Sequence, residues 1–416
     1  MMNISLLHDY FLSSSGISTD TRNIKQNSIF FALKGKHFNG NHFAEKALEM
    51  GAAYAVVDEQ QHADARLLVV DDVLLTLQQL ANFHRKQLQC PVIGITGSNG
   101  KTTTKELINV VLNKAFKVCC TQGNLNNHIG VPLTILSADL ETDFLIVEMG
   151  ANHKGEIKLL SQIADIDYGI ITNIGKAHLE GFGSFEGVIS AKKELYDFIQ
   201  QKNGTIFINK NDSLLSQLSK GMSKIEYDDN VLNGQSSFAK VNFKSTTIQS
   251  KLIGNYNCPN IKAACTVGYH FGVDLAKIKE AIEDYTPQNN RSQYIDTTRN
   301  NSLILDAYNA NPSSMIEAIK SFNSIEHDKK LMILGDMLEL GKESKMEHQK
   351  IIDFISGKNT DTILIGDEFG NCKNTFRQFD DVEQCANWLT SEQITNSLVL
   401  LKGSRGIKLE HLQAFL

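Results

Sequence analysis

The stretch Val92-Ile-Gly-Ile-Thr-Gly-Ser-Asn-Gly-Lys-Thr-Thr-Thr104 constrains this chain more than any other, because an apolar run passes directly into a glycine-rich turn and then a helix start. That order predicts a strand, a loop whose backbone N–H groups converge, and a helix whose positive dipole end faces the same point. Such a loop cradles phosphates. Gly97 and Gly100 let the backbone curl close, Lys101 reaches toward the β and γ phosphates, and the Thr102 hydroxyl is placed for Mg²⁺; Thr96, Ser98, Asn99 and Thr103 complete the nucleotide-binding loop. The spacing is shorter than the usual phosphate loop, which would put glycine at Ile95, whereas the chain has Gly94 and Gly97. A particular subfamily of nucleotide enzymes fits this better than a generic GTPase or motor.

At 416 residues the chain exceeds one typical core, and the rhythm of apolar runs divides it in three. Residues 1–88 form a small α/β domain with a strand near Ser28-Ile-Phe-Phe-Ala-Leu33, a helix around 42–50, strands at Ala53-Tyr-Ala-Val-Val57 and from Leu67 to Asp71, and a helix up to Leu88. Residues 89–287 alternate helices with apolar strands at 92–96, 144–148, 169–173 and 205–209, the signature of a mainly parallel sheet. From Tyr227 to Ser250 the chain turns polar, with short runs expected as antiparallel strands at a sheet edge. Residues 288–416 carry strands at 303–306, 330–335, 362–366 and 398–402, expected as a doubly wound, Rossmann-like sheet.

A net charge of −6 offers no electrostatic footprint for nucleic acid or anionic membrane, so the cations of a phosphate site must be local. Seven scattered cysteines without a Cys-x-x-Cys pair argue against a disulfide framework or zinc ribbon. The N-terminus lacks the pattern of a signal peptide, and no run approaches 18 apolar residues. A soluble, cytoplasmic enzyme of small metabolites is expected.

Several strands end in polar residues. Glu148 closes Phe144-Leu-Ile-Val-Glu148 beside the phosphate-loop strand, where a carboxylate suits Mg²⁺. His178 follows the strand at 169–173 and shares that rim; no other histidine has such a context. In the third region Asp306-Ala-Tyr-Asn-Ala-Asn311, Gly335-Asp-Met-Leu-Glu339 and Lys402-Gly-Ser-Arg405 load three strand ends and are expected to converge on one crevice. Asn311 before Pro312 serves equally as a helix cap or a ligand. Lys192 and Lys193 in Ser190-Ala-Lys-Lys-Glu-Leu-Tyr196 would, on periodicity alone, be a solvated helix face.

Taken together, these residues resemble the Mur ligases, ATP-dependent amide-forming enzymes of peptidoglycan precursor synthesis, and most closely their D-alanyl-D-alanine-adding (MurF) branch. The resemblance spans nearly the whole chain: Ile95 to Lys105, Gly123-Asn-Leu-Asn-Asn127, Glu148-Met-Gly-Ala-Asn-His-Lys-Gly-Glu-Ile157, Ala177-His-Leu-Glu-Gly-Phe-Gly183, Asp306 to Met315, Leu334-Gly-Asp-Met-Leu-Glu-Leu-Gly341 and Lys402 to Arg405. It implies ATP with Mg²⁺, two ions, as cofactors, held by Thr102, Glu148, His178 and a carbamylated Lys192, with Lys193 as the alternative to that lysine. Lys101, Glu148, His178 and Lys192 would be the catalytic set. Asn257 and Asn260 would lie near adenine, and Arg291 and Asp306 would clamp ATP. Thr19, Asp20, Thr21, Arg22, Lys34, Asn39 and Gly40 would hold the UDP-sugar, with Asn126 and Asn127 also contacting substrate, and Tyr308 would face the dipeptide. Its carboxylate would meet either the Asn309 and Asn311 loop or Ser404 and Arg405. The two departures are His128, where relatives more often carry Glu, and a short first domain.

The implied partners are UDP-N-acetylmuramoyl-tripeptide and D-alanyl-D-alanine, joined through an acyl phosphate, by a monomer without nucleic acid or a membrane span. The third residue of the peptide, lysine or meso-diaminopimelate, stays open. Folylpolyglutamate synthase shares the chemistry but should differ in the third-region motifs. A non-catalytic Mur-like subunit should have lost Lys101, Glu148 or Lys192, and a nucleotide switch would need motifs that are missing.

Overall fold

Hydrophobic runs that end in polar residues become parallel strands whose tips face one way, and this decides where chemistry can sit. The computed structural model describes residues 2–59, 64–230, 232, 237–358 and 360–416. In the first unit, Ile17–Ser18, Ile29–Phe31, Tyr54–Val57 and Leu67–Val69 pair in that order, all parallel. A two-residue hairpin, Lys34–Gly35 against Phe38–Asn39, projects beside them. The helix Val73–Gln87 starts at Asp72, whose side chain accepts from Leu75 N at 2.7 Å. Its far end ties this unit to the next: the Arg85 guanidinium donates to the Ala164 and Asp165 carbonyls and to Asp167 at 2.7 Å.

The second unit is a six-stranded parallel sheet in the order Ser223–Tyr227, Thr205–Asn209, Tyr168–Ile171, Val92–Thr96, Phe144–Glu148, Val118–Cys120. Val92–Thr96 and Phe144–Glu148 are buried throughout, because helices cover both faces; this is why they appear as unbroken apolar runs. The chain leaves Val92–Thr96 toward one edge for two strands, then returns to the other side for three. At such a switch the carboxyl ends open into a crevice. Ile95 pairs with Glu148, and Thr96 with Ile171, so the tips finish level.

Two features differ from expectation. Val118–Cys120 adds an edge strand too short to stand out in sequence. The antiparallel strands in the polar stretch, Phe238–Phe243 and Thr246–Ile253, form a separate two-stranded sheet instead of extending the edge, which Ser223–Tyr227 occupies in parallel. The reason is burial: Ala239, Val241, Phe243, Ile248 and Leu252 alternate inward to join the core formed with the helix Cys258–His270, leaving the opposite face polar. Residues 231 and 233–236 of this stretch lie outside the described ones.

The third unit has six strands in the order Gln293–Asp296, Ser302–Asp306, Leu398–Lys402, Lys330–Gly335, Asp361–Ile365, Arg377–Phe379, parallel except for the first. It docks onto the phosphate-loop side of the second unit. Asn311 Nδ2 donates to Asn99 Oδ1 at 2.7 Å, and Lys176 Nζ pairs with Glu347 Oε1 at 2.9 Å. No helix among the described residues is long and apolar enough to cross a membrane.

Candidate active site

A cavity of about 770 Å³ lies where the carboxyl ends of the second sheet meet those of the third. The phosphate loop forms one wall. Gly97 has φ +147° and a Cβ there would sit 1.9 Å from Thr172 Oγ1; Gly100 has φ +79° with Asn260 Oδ1 2.6 Å from the same imagined atom. Only glycine fits both places, so the short spacing is a steric requirement of this turn. Thr172 Oγ1 and Asn173 Nδ2 donate to the Asn99 carbonyl, while Asn99 N donates to Asn173 Oδ1 at 3.0 Å, which fixes the loop from behind. The helix Lys101–Leu112 starts here and points its free N–H groups at the cavity.

Lys101 curls back, donating to the Gly97 carbonyl at 2.6 Å and the Ser98 carbonyl at 3.3 Å. Burial lowers its ammonium to about 8, with Glu148 opposing the shift and Arg291 adding to it. A phosphate would relieve that cost by supplying the missing negative charge.

Glu148 is buried at the tip of its strand. Oε1 accepts from Asn126 Nδ2 at 2.8 Å, but Oε2 has no partner. A buried carboxylate oxygen without a donor fits a cation. Among the described residues no three His, Cys, Asp or Glu side chains converge. Beyond Glu148 and His178, which both line the cavity, the ligands of a magnesium ion would therefore be phosphate oxygens, a hydroxyl and water.

The adjacent lysines part company. Lys192 is 1% exposed, with Nζ 3.4 Å from Thr96 Oγ1 and 5.7 Å from the centre of the Phe182 ring, and among the described residues it pairs with no carboxylate. Burial first, and Lys101 second, push its amine well below the usual lysine range. Lys193 is half-exposed and bonded to Asp197 one turn on. The solvated-face reading therefore holds for Lys193 and fails for Lys192: the helix Phe185–Gln201 turns that position into the core beneath Thr96.

From the third unit come Arg291, Asp306, Tyr308, Asn309, Asn311 and Lys402. Arg291 stacks 3.7 Å from the Tyr308 ring centre, with a buried Nε that lacks a partner. Asp306 Oδ2 pairs with the buried Lys402 at 2.9 Å. Lys402, part of a polar strand end expected at the crevice, lines it, and Tyr256 and Ser292 are cavity residues that the sequence did not single out; these two bridge the units through their hydroxyls at 2.9 Å. Asn311 proves to be both cap and wall: Oδ1 accepts from Ser314 N in a capping box while Nδ2 meets Asn99.

Of the sequence-selected residues, Ser98, Asn99, Gly100, Lys101, Thr103, Asn126, Asn127, Glu148, His178, Asn257 and Asn260 also line the cavity. Thr96, Gly97, Thr102 and Lys192 lie outside this lining, with Thr96, Thr102 and Lys192 buried. Asn257 and Asn260 bond one another at 3.0 Å, and Asn260 Oδ1 accepts from Thr104 at 3.1 Å.

Of the three polar strand ends, those at Asp306 and Lys402 line the cavity, and the one at 335–339 approaches it through Glu339, 2.6 Å from His178 Nδ1, while Asp336 and Ser404 turn away from it. Asp336 is buried and accepts from Glu368 N and Phe369 N, each at 3.0 Å, holding a short helix of its own unit. Ser404 is 2% exposed and accepts from Leu338 N at 2.9 Å, so its hydroxyl braces two loops instead of facing a ligand. Arg405 is exposed, 5.5 Å from the Tyr308 ring centre.

The first-unit set does not line the cavity. Asp20 accepts from Arg22 N at 2.9 Å, and the Arg22 guanidinium holds the carboxyl down at about 2. Lys34 pairs with Asp58 and Glu59 at 2.9 and 2.8 Å, and Asn39 Nδ2 donates to Glu59 at 2.9 Å. Gly40 packs against the Ala32–Leu33 backbone, where a Cβ would be 2.4 Å from the Leu33 carbonyl oxygen. Thr19 and Thr21 flank Asp20 in the same turn.

Three family models match successive parts of the chain: Mur ligase family, catalytic domain, over residues 13–88; Mur ligase middle domain over 95–268; and Mur ligase, glutamate ligase domain, over 290–405. The UDP-N-acetylmuramoyl-tripeptide--D-alanyl-D-alanine ligase of Bacillus subtilis (strain 168) is 35% identical over 423 residues, covering 95% of this chain and 92% of the relative. Its counterpart in Escherichia coli (strain K12) is 31% identical over 425 residues, covering 96% and 93%. Among solved structures, MurF from Acinetobacter baumannii aligns with TM-score 0.85 at 30% identity, covering 96% of this chain and 92% of that one. MurF ligase from Thermotoga maritima, in complex with ADP, aligns with TM-score 0.86 at 25% identity, covering 97% of both chains.

Proposed function

This chain belongs to the Mur ligase family, and we propose that it joins D-alanyl-D-alanine to UDP-N-acetylmuramoyl-tripeptide at the expense of ATP, in peptidoglycan precursor synthesis. One observation carries the assignment beyond the family. A phosphate loop with a cationic lysine faces, across a single cavity, the Tyr308-Asn309-Ala-Asn311 loop of a second sheet.

Forming an amide from a carboxylate needs a leaving group. The tripeptide's terminal carboxylate oxygen attacks the γ-phosphorus of ATP, the bond to the β-phosphate oxygen breaks, and an acyl phosphate and ADP result. The dipeptide's amine, as free base, then attacks the acyl carbon; phosphate departs and the amine proton goes to solvent or phosphate. In the first step two anions meet, and each like-charge pair at 4 Å costs about 4 kcal/mol at an effective dielectric of 20. Lys101, Arg291 and the loop N–H groups offset that cost, which is why the phosphate loop carries a cation and backbone donors.

Glu148, with the Thr102 hydroxyl and His178, would hold Mg²⁺, which when bound neutralises phosphate charge. Lys192 fits a carbamate: CO₂ adds only to an unprotonated amine, and burial supports that form. The product would place an anion near the Lys101 ammonium in place of a neutral amine. Asn257 and Asn260 are assigned to the adenine end and Arg291 with Asp306 to the clamp. Tyr308, Asn309 and Asn311 are assigned to the dipeptide, with Arg405 at the mouth, and Asn126 and Asn127 to the tripeptide. Thr19, Asp20, Thr21, Arg22, Lys34, Asn39 and Gly40 are assigned to the UDP-sugar. The domain limits are taken as 1–88, 89–287 and 288–416. Docking of the third unit excludes water, whose attack on the acyl phosphate would waste ATP.

Phosphate release is measured with ATP, UDP-N-acetylmuramoyl-tripeptide and D-alanyl-D-alanine, omitting each in turn. Release should require all three; release indifferent to the dipeptide defeats the assignment.

A further inference from the structure

The segment after the strand Tyr168–Ile171 is gripped by the third unit at four points. Glu339 Oε2 lies 2.6 Å from His178 Nδ1, and the Glu180 N–H donates to the Glu339 carbonyl at 3.2 Å. Lys176 Nζ reaches the buried Glu347 at 2.9 Å, and Gly341 sits so close that a Cβ would come 3.2 Å from the side chain of Glu180.

His178 and Glu339 also share an unusual backbone: φ is +51° at one and +68° at the other. Neither is a residue that adopts the left-handed region without cost, and such conformations persist where the surroundings enforce them. Two strained residues from different units therefore meet side chain to side chain at the rim of the cavity. The contact is close but lacks the alignment of a hydrogen bond. Polar pairs at catalytic sites are often misaligned before substrates arrive and tighten afterwards.

We propose that Glu339 is a positioning residue that reports docking of the third unit to the reaction site. With the unit docked, its carboxylate takes the Nδ1 side of His178, fixing the ring so that Nε2 is the nitrogen left for the cavity. A carboxylate behind an imidazole sets both tautomer and orientation in this way. With the unit undocked the ring loses that support, and the segment 174–183 loses its clamp. Activation of the tripeptide is thereby tied to the presence of the surface that brings the dipeptide. This rests on the ligase reading of the same cavity.

The test compares wild type with Glu339→Gly, Glu339→Ala and Glu339→Gln. Glycine at φ +68° relieves strain, so Glu339→Gly should keep or raise the melting temperature while kcat falls about 10- to 100-fold, the range for loss of a supporting group. KM for ATP should change less than threefold, and Glu339→Gln, whose amide oxygen still accepts from Nδ1–H, should recover most of the rate. Hydrogen–deuterium exchange gives a readout apart from turnover. With ADP and UDP-N-acetylmuramoyl-tripeptide, residues 174–183 should be protected in wild type and not in Glu339→Gly or Glu339→Ala, while 96–105 stays protected in all. Unchanged kcat, or equal protection of 174–183 in Glu339→Gly and wild type, overturns the proposal. Failure of the ligase reading would appear instead in wild type, as phosphate release without dipeptide dependence.

Discussion

The second and third sheets are both parallel and both end in polar residues, yet they use their tips differently. On the second sheet, Glu148 and the loop after Thr96 present unsatisfied groups to the cavity, among them Glu148 Oε2. On the third, Asp336 and Ser404 spend their hydrogen bonds inside the unit, while the tips at Asp306 and Lys402 line the cavity. A polar strand end is thus no evidence of a site by itself; what counts is whether its hydrogen-bonding capacity is already filled. The second sheet holds its charges open for a ligand, and the third uses buried polar groups to stiffen the surface that docks.

Lys101→Ala should break the contrast most strongly. The rate of ADP formation should fall by about a thousandfold or more while UDP-sugar binding and the melting temperature hold. Loss of folding would show that the open wall is a structural one. Lys192→Ala should cost on the order of a hundredfold in kcat, and Lys192→Arg should not rescue it, because guanidinium keeps the charge but cannot supply an amine for a carbamate. Full activity in the arginine variant would reject the carbamate.

The Lys101 ammonium sharpens the contrast through pH. Its value is lowered to about 8 in the free protein, so the charged form that phosphate needs is present below that pH and lost above it. ADP affinity should be flat up to pH 8 and then weaken by up to about tenfold per unit, as titration calorimetry would measure. Lys101→Arg should flatten the profile.

On the third sheet, Ser404→Ala removes the acceptor of the Leu338 N–H and should lower stability by about 1 kcal/mol with kcat nearly unchanged. A large rise in KM for the dipeptide would return Ser404 to the site. Lys193→Ala should be the mildest change, below about 0.5 kcal/mol and without effect on rate, since its pair with Asp197 is solvent-exposed.

Much of this was legible in the chain. The apolar run before Gly97 could only be a covered parallel strand, and the positive φ at Gly97 and Gly100 follows from the glycines themselves. Val92–Thr96, Phe144–Glu148, Thr205–Asn209, Lys330–Gly335 and Leu398–Lys402 begin and end where their patterns predict, because strands buried on both faces carry a continuous signal. Val118–Cys120 was hidden by its length, and the hairpin's placement depended on its inward residues packing into the core formed with the helix Cys258–His270.

By itself, then, the sequence determined the covalent order of strand, glycine loop and helix, and with it the phosphate cradle, since local backbone geometry and residue chemistry are properties of neighbours along the chain. Only the tertiary structure decided which polar groups remain unpaired: Lys192 over Lys193, Glu148 open while Asp336 is closed, Glu339 brought to His178 from another unit. Desolvation and hydrogen-bond satisfaction depend on what packs from a distance, and no spacing in a single sequence carries that information.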